Sequence, residues 1–263
     1  MQSDKLRQTL TVLSFLLTMT VNTAANALPI NGQMTGAISD RFHVFVIPAG
    51  YVFAIWGLIY VLLGAFTTWQ ALPRNREDET LRRLGYLPAL SGVFNSVWIL
   101  LFQYELFLAT VPVIVALLVT LIAIHLRLWE HRDRLRGTTY WTVRAPFSVY
   151  LGWVTVATIA NTAQTGSSIG FTGFGIEPAL IAAAVLLVGL AIAATFVSMF
   201  RDVAYGLVIV WAYVGVMVKE HDTTPVLVAA GLGATVVAIL VAGSWIRNRA
   251  AGAGRQATAS ATA

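Results

Sequence analysis

The stretch "PAGYVFAIWGLIYVLLGAF", residues 48–66, decides the fold because it is long and apolar enough to lie in a lipid bilayer. It nevertheless carries Tyr51, Trp56 and Tyr60, whose rings have polar edges, where a plain anchor would use leucine throughout. Gly57 and Gly64 lie beside these rings. Rings next to glycine notches leave room for a flat apolar guest, so the stretch predicts a helix that forms one wall of a ligand cavity.

The composition predicts that the lipid bilayer is the solvent and the first partner of this chain. Its 263 residues are 57% hydrophobic and only 11% charged, with a mean hydropathy of +0.75, which a soluble domain of this length cannot accommodate. Apolar segments of roughly 17–25 residues predict an all-α, polytopic integral membrane protein with about eight transmembrane helices. The segments are residues 8–27, 50–72, 85–103, 106–127, 143–163, 178–199, 203–219 and 225–246.

The basic residues predict the orientation of these spans. If the N-terminus is cytoplasmic, only Arg41 and Lys219 among the 17 basic residues fall in outside segments. The positive-inside rule therefore favours eight spans with both the N- and C-termini in the cytoplasm. The pI near 9.8 then reflects topology and predicts no nucleic-acid partner, because the arginines are divided among short loops. We expect a multi-pass protein of a bacterial or archaeal cell membrane.

The first segment, residues 1–27, has two interpretations. Lys5 and Arg7, the apolar run and Ala25-Asn26-Ala27 together resemble a cleavable signal peptide. The length of the run suits a retained first helix equally well, and we favour that interpretation.

Several chemistries have little support in the sequence. No Asp, Glu, Lys or Arg lies in the middle of a span, so we do not expect a proton- or sodium-driven pump. The chain has no cysteine, and no two histidines share a helix face at ligand spacing, so the sequence predicts neither a metal site nor a required cofactor. His125 is expected near the membrane interface. The sequence has no Ser-His-Asp grouping and no paired carboxylates, so we predict no catalytic residues and do not favour an enzyme.

Aromatic and amide side chains of several spans converge at one predicted depth, in the outer half of the membrane. Helical spacing places three such residues on one face of the third span, and two such residues with an alanine between them on one face of the fifth. They are Asn95, Trp98 and Phe102 in the third span, and Trp153, Ala157 and Asn161 in the fifth. A single buried asparagine often only joins two helices, but convergence on several helices favours a shared cavity wall.

These residues resemble the tryptophan-rich sensory protein or translocator protein family (TspO/MBR). Three of its helix motifs recur here in order: Tyr51-Val52-Phe53 with Trp56, Tyr60 and Gly64; Asn95 with Trp98 and Phe102; and Tyr150-Leu151-Gly152-Trp153 with Asn161. Tyr51 replaces the first Trp of the family's second helix, and Gln103 replaces the second residue of a Phe pair. The family pattern covers roughly residues 8–163.

The resemblance implies a five-helix core that binds a hydrophobic small molecule, either a porphyrin or haem-type compound or a sterol-like lipid. The protein would act as a sensor, carrier or regulator. The resemblance and the convergence together assign ligand binding to Tyr51, Trp56, Tyr60, Asn95, Trp98, Phe102, Trp153, Ala157 and Asn161.

The family similarly has a long first extracytoplasmic loop over the cavity mouth, and residues 28–49 are predicted to form this lid. Arg41 and His43 in the lid have two interpretations: they receive a carboxylate of the ligand, or they are ordinary solvated loop residues.

The predicted domains follow from these segments. Residues 1–163 form the ligand-binding core, 164–177 a Gly- and Ser-rich outer loop, 178–246 a three-helix extension, and 247–263 a disordered cytoplasmic tail. The extension has small residues four positions apart, Ala229 with Gly233 and Gly189 with Ala193. This spacing is compatible with tight helix packing, with a homodimer contact, and equally with residues that only face lipid.

Three other functions stay open. The main alternative is a passive transporter of a small hydrophobic solute, with a pathway between the two helix groups. Light- or oxygen-dependent chemistry on a bound tetrapyrrole through Trp56 or Trp98 has the least support, because no proton-transfer group is predicted in the cavity. A structural scaffold would bind no ligand at all.

Overall fold

The computed structural model describes residues 2–261 and the side chains of residues 3–249. Within this range the chain forms ten α-helices and no β-strand, which confirms the predicted all-α class. The helices are α1 (Gln2–Ala27), α2 (Thr35–Asp40), α3 (Ile55–Ala71), α4 (Glu79–Leu84), α5 (Leu87–Gln103), α6 (Phe107–Glu130), α7 (Ala145–Ser168), α8 (Pro178–Phe200), α9 (Val203–Lys219) and α10 (Thr224–Ala261). A 3₁₀ turn, Gly50–Ala54, leads into α3, and a π turn, Tyr140–Arg144, leads into α7.

The eight long helices coincide with the eight predicted spans. Six segments of the described chain are long and apolar enough to cross a membrane: Ser3–Ala27, Gly50–Ala71, Phe107–Glu130, Tyr140–Ser168, Pro178–Phe200 and Thr224–Arg249. The other two, α5 and α9, are apolar helices of 17 residues. At about 1.5 Å per residue each is about 25 Å long, slightly less than the roughly 30 Å of a hydrocarbon core.

Two helix ends differ from the predicted boundaries. Helix α7 continues to Ser168, so the outer loop predicted over 164–177 is reduced to residues 169–177. Helix α10 continues to Ala261, through most of the stretch predicted as a disordered tail. Residues 262 and 263 of that tail, and residue 1 of the first segment, lie outside the described residues.

The long helices form two groups, and the contact between α7 and α9 joins them. Helices α1, α3, α5, α6 and α7 pack together, as do α8, α9 and α10, and α7 packs against α9 between the groups. Gly152 of α7 allows this contact, because a Cβ there would lie 3.0 Å from both the carbonyl oxygen of Tyr205 and the Cβ of Val208. The cavity described below lies wholly in the first group.

The small residues of the three-helix extension are used for packing within the chain. A Cβ added at Gly233 would overlap the ring of Tyr213, and one at Gly189 would lie 2.8 Å from the Tyr213 hydroxyl oxygen. That hydroxyl donates a 2.6 Å hydrogen bond to the carbonyl oxygen of Leu186, which fixes the ring between α8 and α10. Of the uses predicted for these residues, the described structure shows tight helix packing.

His125 is buried within the protein, which the sequence did not predict, and its depth near the membrane interface stays a prediction. Its side chain is only 3% exposed, because Phe196 and Phe200 of α8 and the turn that follows them pack against it. There Asp202 lies 3.7 Å from His125 Nδ1, accepts a 2.6 Å hydrogen bond from Ser148, and caps α9 at the backbone N–H of Tyr205. The carboxylate stands between the hydroxyl and the imidazole, so this cluster joins α6, α7 and α9 and does not activate Ser148 as a nucleophile.

Candidate ligand-binding site

A cavity of about 590 Å³ lies beneath the segment predicted as a lid. Its walls come from α1, α5, α7 and α3 with the preceding 3₁₀ turn, and its roof from residues of the 28–49 segment. Among the predicted site residues, those that line it are Trp56, Tyr60, Trp98, Phe102, Trp153, Ala157 and Asn161. The structure therefore brings together side chains from three predicted motifs that are far apart in the sequence.

Aromatic rings form the deeper walls. Trp56 stacks on Tyr60 one helical turn away, with ring centroids 5.6 Å apart and planes 21° apart. Trp153 meets Trp56 edge to face at 6.1 Å, and Phe53 packs edge to face on Trp153 at 5.5 Å. These contacts hold each ring through its neighbours, so the walls are set before a ligand arrives.

The two glycines of the opening stretch have different roles. A Cβ added at Gly57 would meet no atom within 4 Å, and Gly57 lines the cavity, so its missing side chain adds to the space for a guest. A Cβ added at Gly64 would lie 3.4 Å from the ring of Phe15, so Gly64 allows α3 to approach α1. Of these two glycines, only Gly57 enlarges the cavity.

Asn161 lines the cavity and also joins three helices. Its Oδ1 accepts a 3.1 Å hydrogen bond from the indole N–H of Trp98, and its amide donates a 2.8 Å hydrogen bond to Thr110 Oγ1 on α6. These bonds fix the orientation of Trp98. Asn161 therefore positions an aromatic wall as well as facing the cavity.

Asn95 lies behind the wall and does not line the cavity. It is fully buried, and its Oδ1 accepts a 2.8 Å hydrogen bond from the amide of Asn22 on α1. Asn22 in turn lines the cavity. Asn95 thus acts as a link between α5 and α1 that holds a cavity residue in place.

Tyr51 lies outside the cavity. Its ring packs edge to face on Trp211 of α9 with centroids 5.2 Å apart, and the indole N–H of Trp211 donates a 3.1 Å hydrogen bond to the carbonyl oxygen of Val52. The residue that replaces the family's Trp therefore contacts the three-helix extension.

The roof is held by Gln103, at the position where the family pattern has a second Phe. Gln103 is fully buried at the end of α5, and its amide N–H groups donate to the carbonyl oxygens of Gln33 at 3.0 Å and Ile30 at 3.3 Å. Its Oε1 accepts a 2.9 Å hydrogen bond from the hydroxyl of Thr35. A second contact is apolar, because Ile38 of α2 is buried against Phe102 and Phe107.

The two basic residues of the roof lie beside carboxylates of the chain itself. Arg41 donates hydrogen bonds to Glu105, in the turn between α5 and α6, and to Gln33. The hydrogen bonds that Glu105 accepts from Arg41 and from the amide of Gln33 hold the pKa of its carboxyl below its usual range. His43 lies 3.5 Å from Glu220 at the end of α9. Neither residue lines the cavity, and their role toward a ligand carboxylate stays a prediction.

Other cavity residues were not predicted. Gln164 lies three residues after Asn161, so helical spacing could have placed it on the same face. Asp40, Ser39 and Gly36 come from the roof, where no periodic pattern marks the residues that point inward. A loop carries no such signal in its sequence.

The bundle and its roofed aromatic cavity define a polytopic helical membrane protein with an internal site of ligand size. The family model described as TSPO-like protein matches residues 8–243, and the chain belongs to that family. The match includes the last three membrane helices, beyond the five-helix pattern of the resemblance. No curated protein and no solved structure matches the chain. The family makes it a membrane ligand-binding or transport protein.

Proposed function

We propose that this protein binds a flat, largely apolar small molecule, such as a porphyrin-type tetrapyrrole or a sterol-like lipid, beneath the roof formed by residues 28–49. The cavity carries the proposal, because its 590 Å³ are walled by Trp56, Tyr60, Trp98 and Trp153 and widened at Gly57. This volume lies in the range of roughly 300–1,000 Å³ that is usual for small-molecule sites. The aromatic faces would stack on the ring system of the guest and exclude water from it.

In this proposal the protein is a sensor, carrier or regulator in a bacterial or archaeal cell membrane. The distribution of arginines would place both termini in the cytoplasm and the roofed end of the bundle outside. The ligand would then reach the cavity from the outer side of the membrane. A passive pathway between the two helix groups has less support, because Gly152 brings α7 and α9 into close contact there.

A titration of tryptophan fluorescence tests the proposal. The probe is protoporphyrin IX dimethyl ester, an uncharged tetrapyrrole, added to the protein in phosphatidylcholine nanodiscs. We expect saturable quenching of the wild type. Gly57→Leu places its side chain in open cavity space and should weaken binding by about tenfold or more, equivalent to about 1.4 kcal/mol.

The matched control is Gly243→Leu. A Cβ at Gly243 also meets no atom within 4 Å, but this residue lies on α10 and outside the cavity, so binding should equal that of the wild type. A linear response that is the same in all three proteins would show only partitioning into lipid and would refute the proposal. Saturable binding that Gly57→Leu leaves unchanged would refute the assignment to this cavity.

A further inference from the structure

The charged side chain that lines the cavity is acidic. Asp40 is the one acidic side chain among the described residues that line the cavity, and no Lys, Arg or His lines it. The carboxylate of Asp40 makes no hydrogen bond or ion pair with any described residue. The nearest basic residue in sequence, Arg41, is bound to Glu105, and His43 faces Glu220. Asp40 is solvent-exposed, so the mouth of the cavity presents one hydrated negative charge that has no cationic partner among the described residues.

Amide oxygens add to this negative character. Asn22, Asn26 and Gln164 all line the cavity, and each donates its amide N–H to a backbone carbonyl: Thr18 at 2.9 Å, Asn22 at 2.9 Å and Ile38 at 3.3 Å, respectively. A carbonyl can only accept, so these bonds determine which end of each amide is nitrogen. The three amide oxygens receive no hydrogen bond from the described residues, and Asn22 and Gln164 are more than nine-tenths buried.

The aromatic walls favour the same sign of charge. The faces of Trp, Tyr and Phe rings carry negative electrostatic potential and attract cations, Trp most strongly. Trp56, Trp98 and Trp153 all line this cavity. Donors that make no hydrogen bond with the described residues lie on two helices: the indole N–H of Trp56 and the hydroxyl of Tyr60 on α3, and the indole N–H of Trp153 on α7. The amide oxygens and the carboxylate of Asp40 belong to α1, the end of α7 and the roof.

We infer that the preferred ligand is a flat ring system with a positively charged nitrogen, its rings lying among Trp56, Trp98 and Trp153 and its cationic end toward Asp40. This rests on the proposed function and adds a selection by charge. Asp40 and the amide oxygens would accept N–H groups of an ammonium or bind a quaternary nitrogen by charge alone. A carboxylate in the same position would face like charge and no donor from a basic residue.

A charge series on a single macrocycle tests the inference. The probes are the uncharged protoporphyrin IX dimethyl ester, the free dicarboxylate, and a bis-amide that carries two trimethylammonium groups. Each is titrated in nanodiscs of zwitterionic phosphatidylcholine, so that the lipid adds no net charge. The wild type should bind the dication roughly tenfold more tightly than the dicarboxylate. Asp40→Asn, which preserves shape, should reduce this ratio by about threefold or more.

The control is Asp222→Asn, which removes an exposed carboxylate that lies outside the cavity, beside His221 in the turn between α9 and α10. It should leave the ratio unchanged. If the dicarboxylate binds as tightly as the dication, or if Asp40→Asn leaves the ratio unchanged, the charge selection is wrong while the uncharged ester still tests the cavity. If no probe binds saturably, the proposed function fails together with this inference.

Discussion

The indole N–H of Trp98 donates a 3.1 Å hydrogen bond to Oδ1 of Asn161, and this bond joins α5 to α7 beside the cavity. The amide of Asn161 also donates to Thr110, so one side chain ties three helices together. The aromatic wall is therefore built on polar links. The same residues therefore contribute to stability and to ligand binding. A variant has to be compared with a matched control variant to separate the two effects.

Removal of this link should destabilise the bundle. Asn161→Ala leaves the indole N–H of Trp98 and the hydroxyl of Thr110 without their shared partner, which should cost about 1–3 kcal/mol of unfolding free energy. Thermal unfolding in nanodiscs measures the loss. Thr162→Ala serves as the control, because Thr162 is exposed and bonds only to its own helix. Equal unfolding temperatures for the two variants would contradict the structural role of Asn161.

Tyr51 and Trp56 should respond differently to the same substitution. Tyr51→Ala loses an edge-to-face contact with Trp211, a kind of pair that contributes about 0.5–1.5 kcal/mol, and should lower stability without changing ligand affinity. Trp56→Ala removes part of the cavity wall and should weaken binding of the uncharged porphyrin. The two variants are compared by thermal unfolding and by titration. Weakened binding in Tyr51→Ala would restore the role that the family resemblance implies for this residue.

Gln103 should control the mobility of the roof. Gln103→Leu removes hydrogen bonds to Thr35, Ile30 and Gln33, and each buried group left unpaired costs about 1–3 kcal/mol. The chain has no cysteine, so a spin label on Ala37→Cys in α2 reports on the roof alone.

We expect the spin label at residue 37 to become more mobile in Gln103→Leu. Tyr104→Leu, a change at the exposed neighbouring residue, should leave its mobility as in the wild type. Unchanged label mobility in Gln103→Leu would show that the apolar contact of Ile38 is sufficient to hold the roof.

The ion pair between Arg41 and Glu105 predicts a pH dependence of the same label. The hydrogen bonds to Glu105 lower its pKa in the folded state, so their contribution is fully present above the pKa of the unfolded chain. It is lost as the pH falls through the lowered pKa, and label mobility should then rise. In Glu105→Gln this acid-induced rise should be absent. A rise of the same size in both proteins would assign the effect to another group.

The sequence predicts the eight helices because a bilayer imposes their length and their apolar character. It also predicts most of the cavity wall, since Trp98 and Phe102, or Trp153 and Asn161, fall on one face by helical spacing alone. Periodicity does not tell which face of a neighbouring helix a residue meets. Tyr51 therefore turns out to pack on α9, and Asn95 to lie behind the wall.

Residues that act through loops could not be predicted in this way. Gln103 bonds to the roof through contacts that follow no helical repeat. His125 is buried by the end of α8 and the turn that carries Asp202, which come from a different helix group more than seventy residues later. Depth along a span indicates distance from the interface, but it does not show what covers a side chain.

The central claim is that a flat apolar ligand lies in the roofed cavity among Trp56, Trp98 and Trp153. The most direct measurement is a crystal structure in a lipid mesophase with zinc protoporphyrin IX dimethyl ester, using the anomalous scattering of zinc to locate the macrocycle. We expect one peak inside the cavity in the wild type and none there in Gly57→Leu. A peak only on the lipid-facing surface, or no peak in the wild type, would contradict the claim.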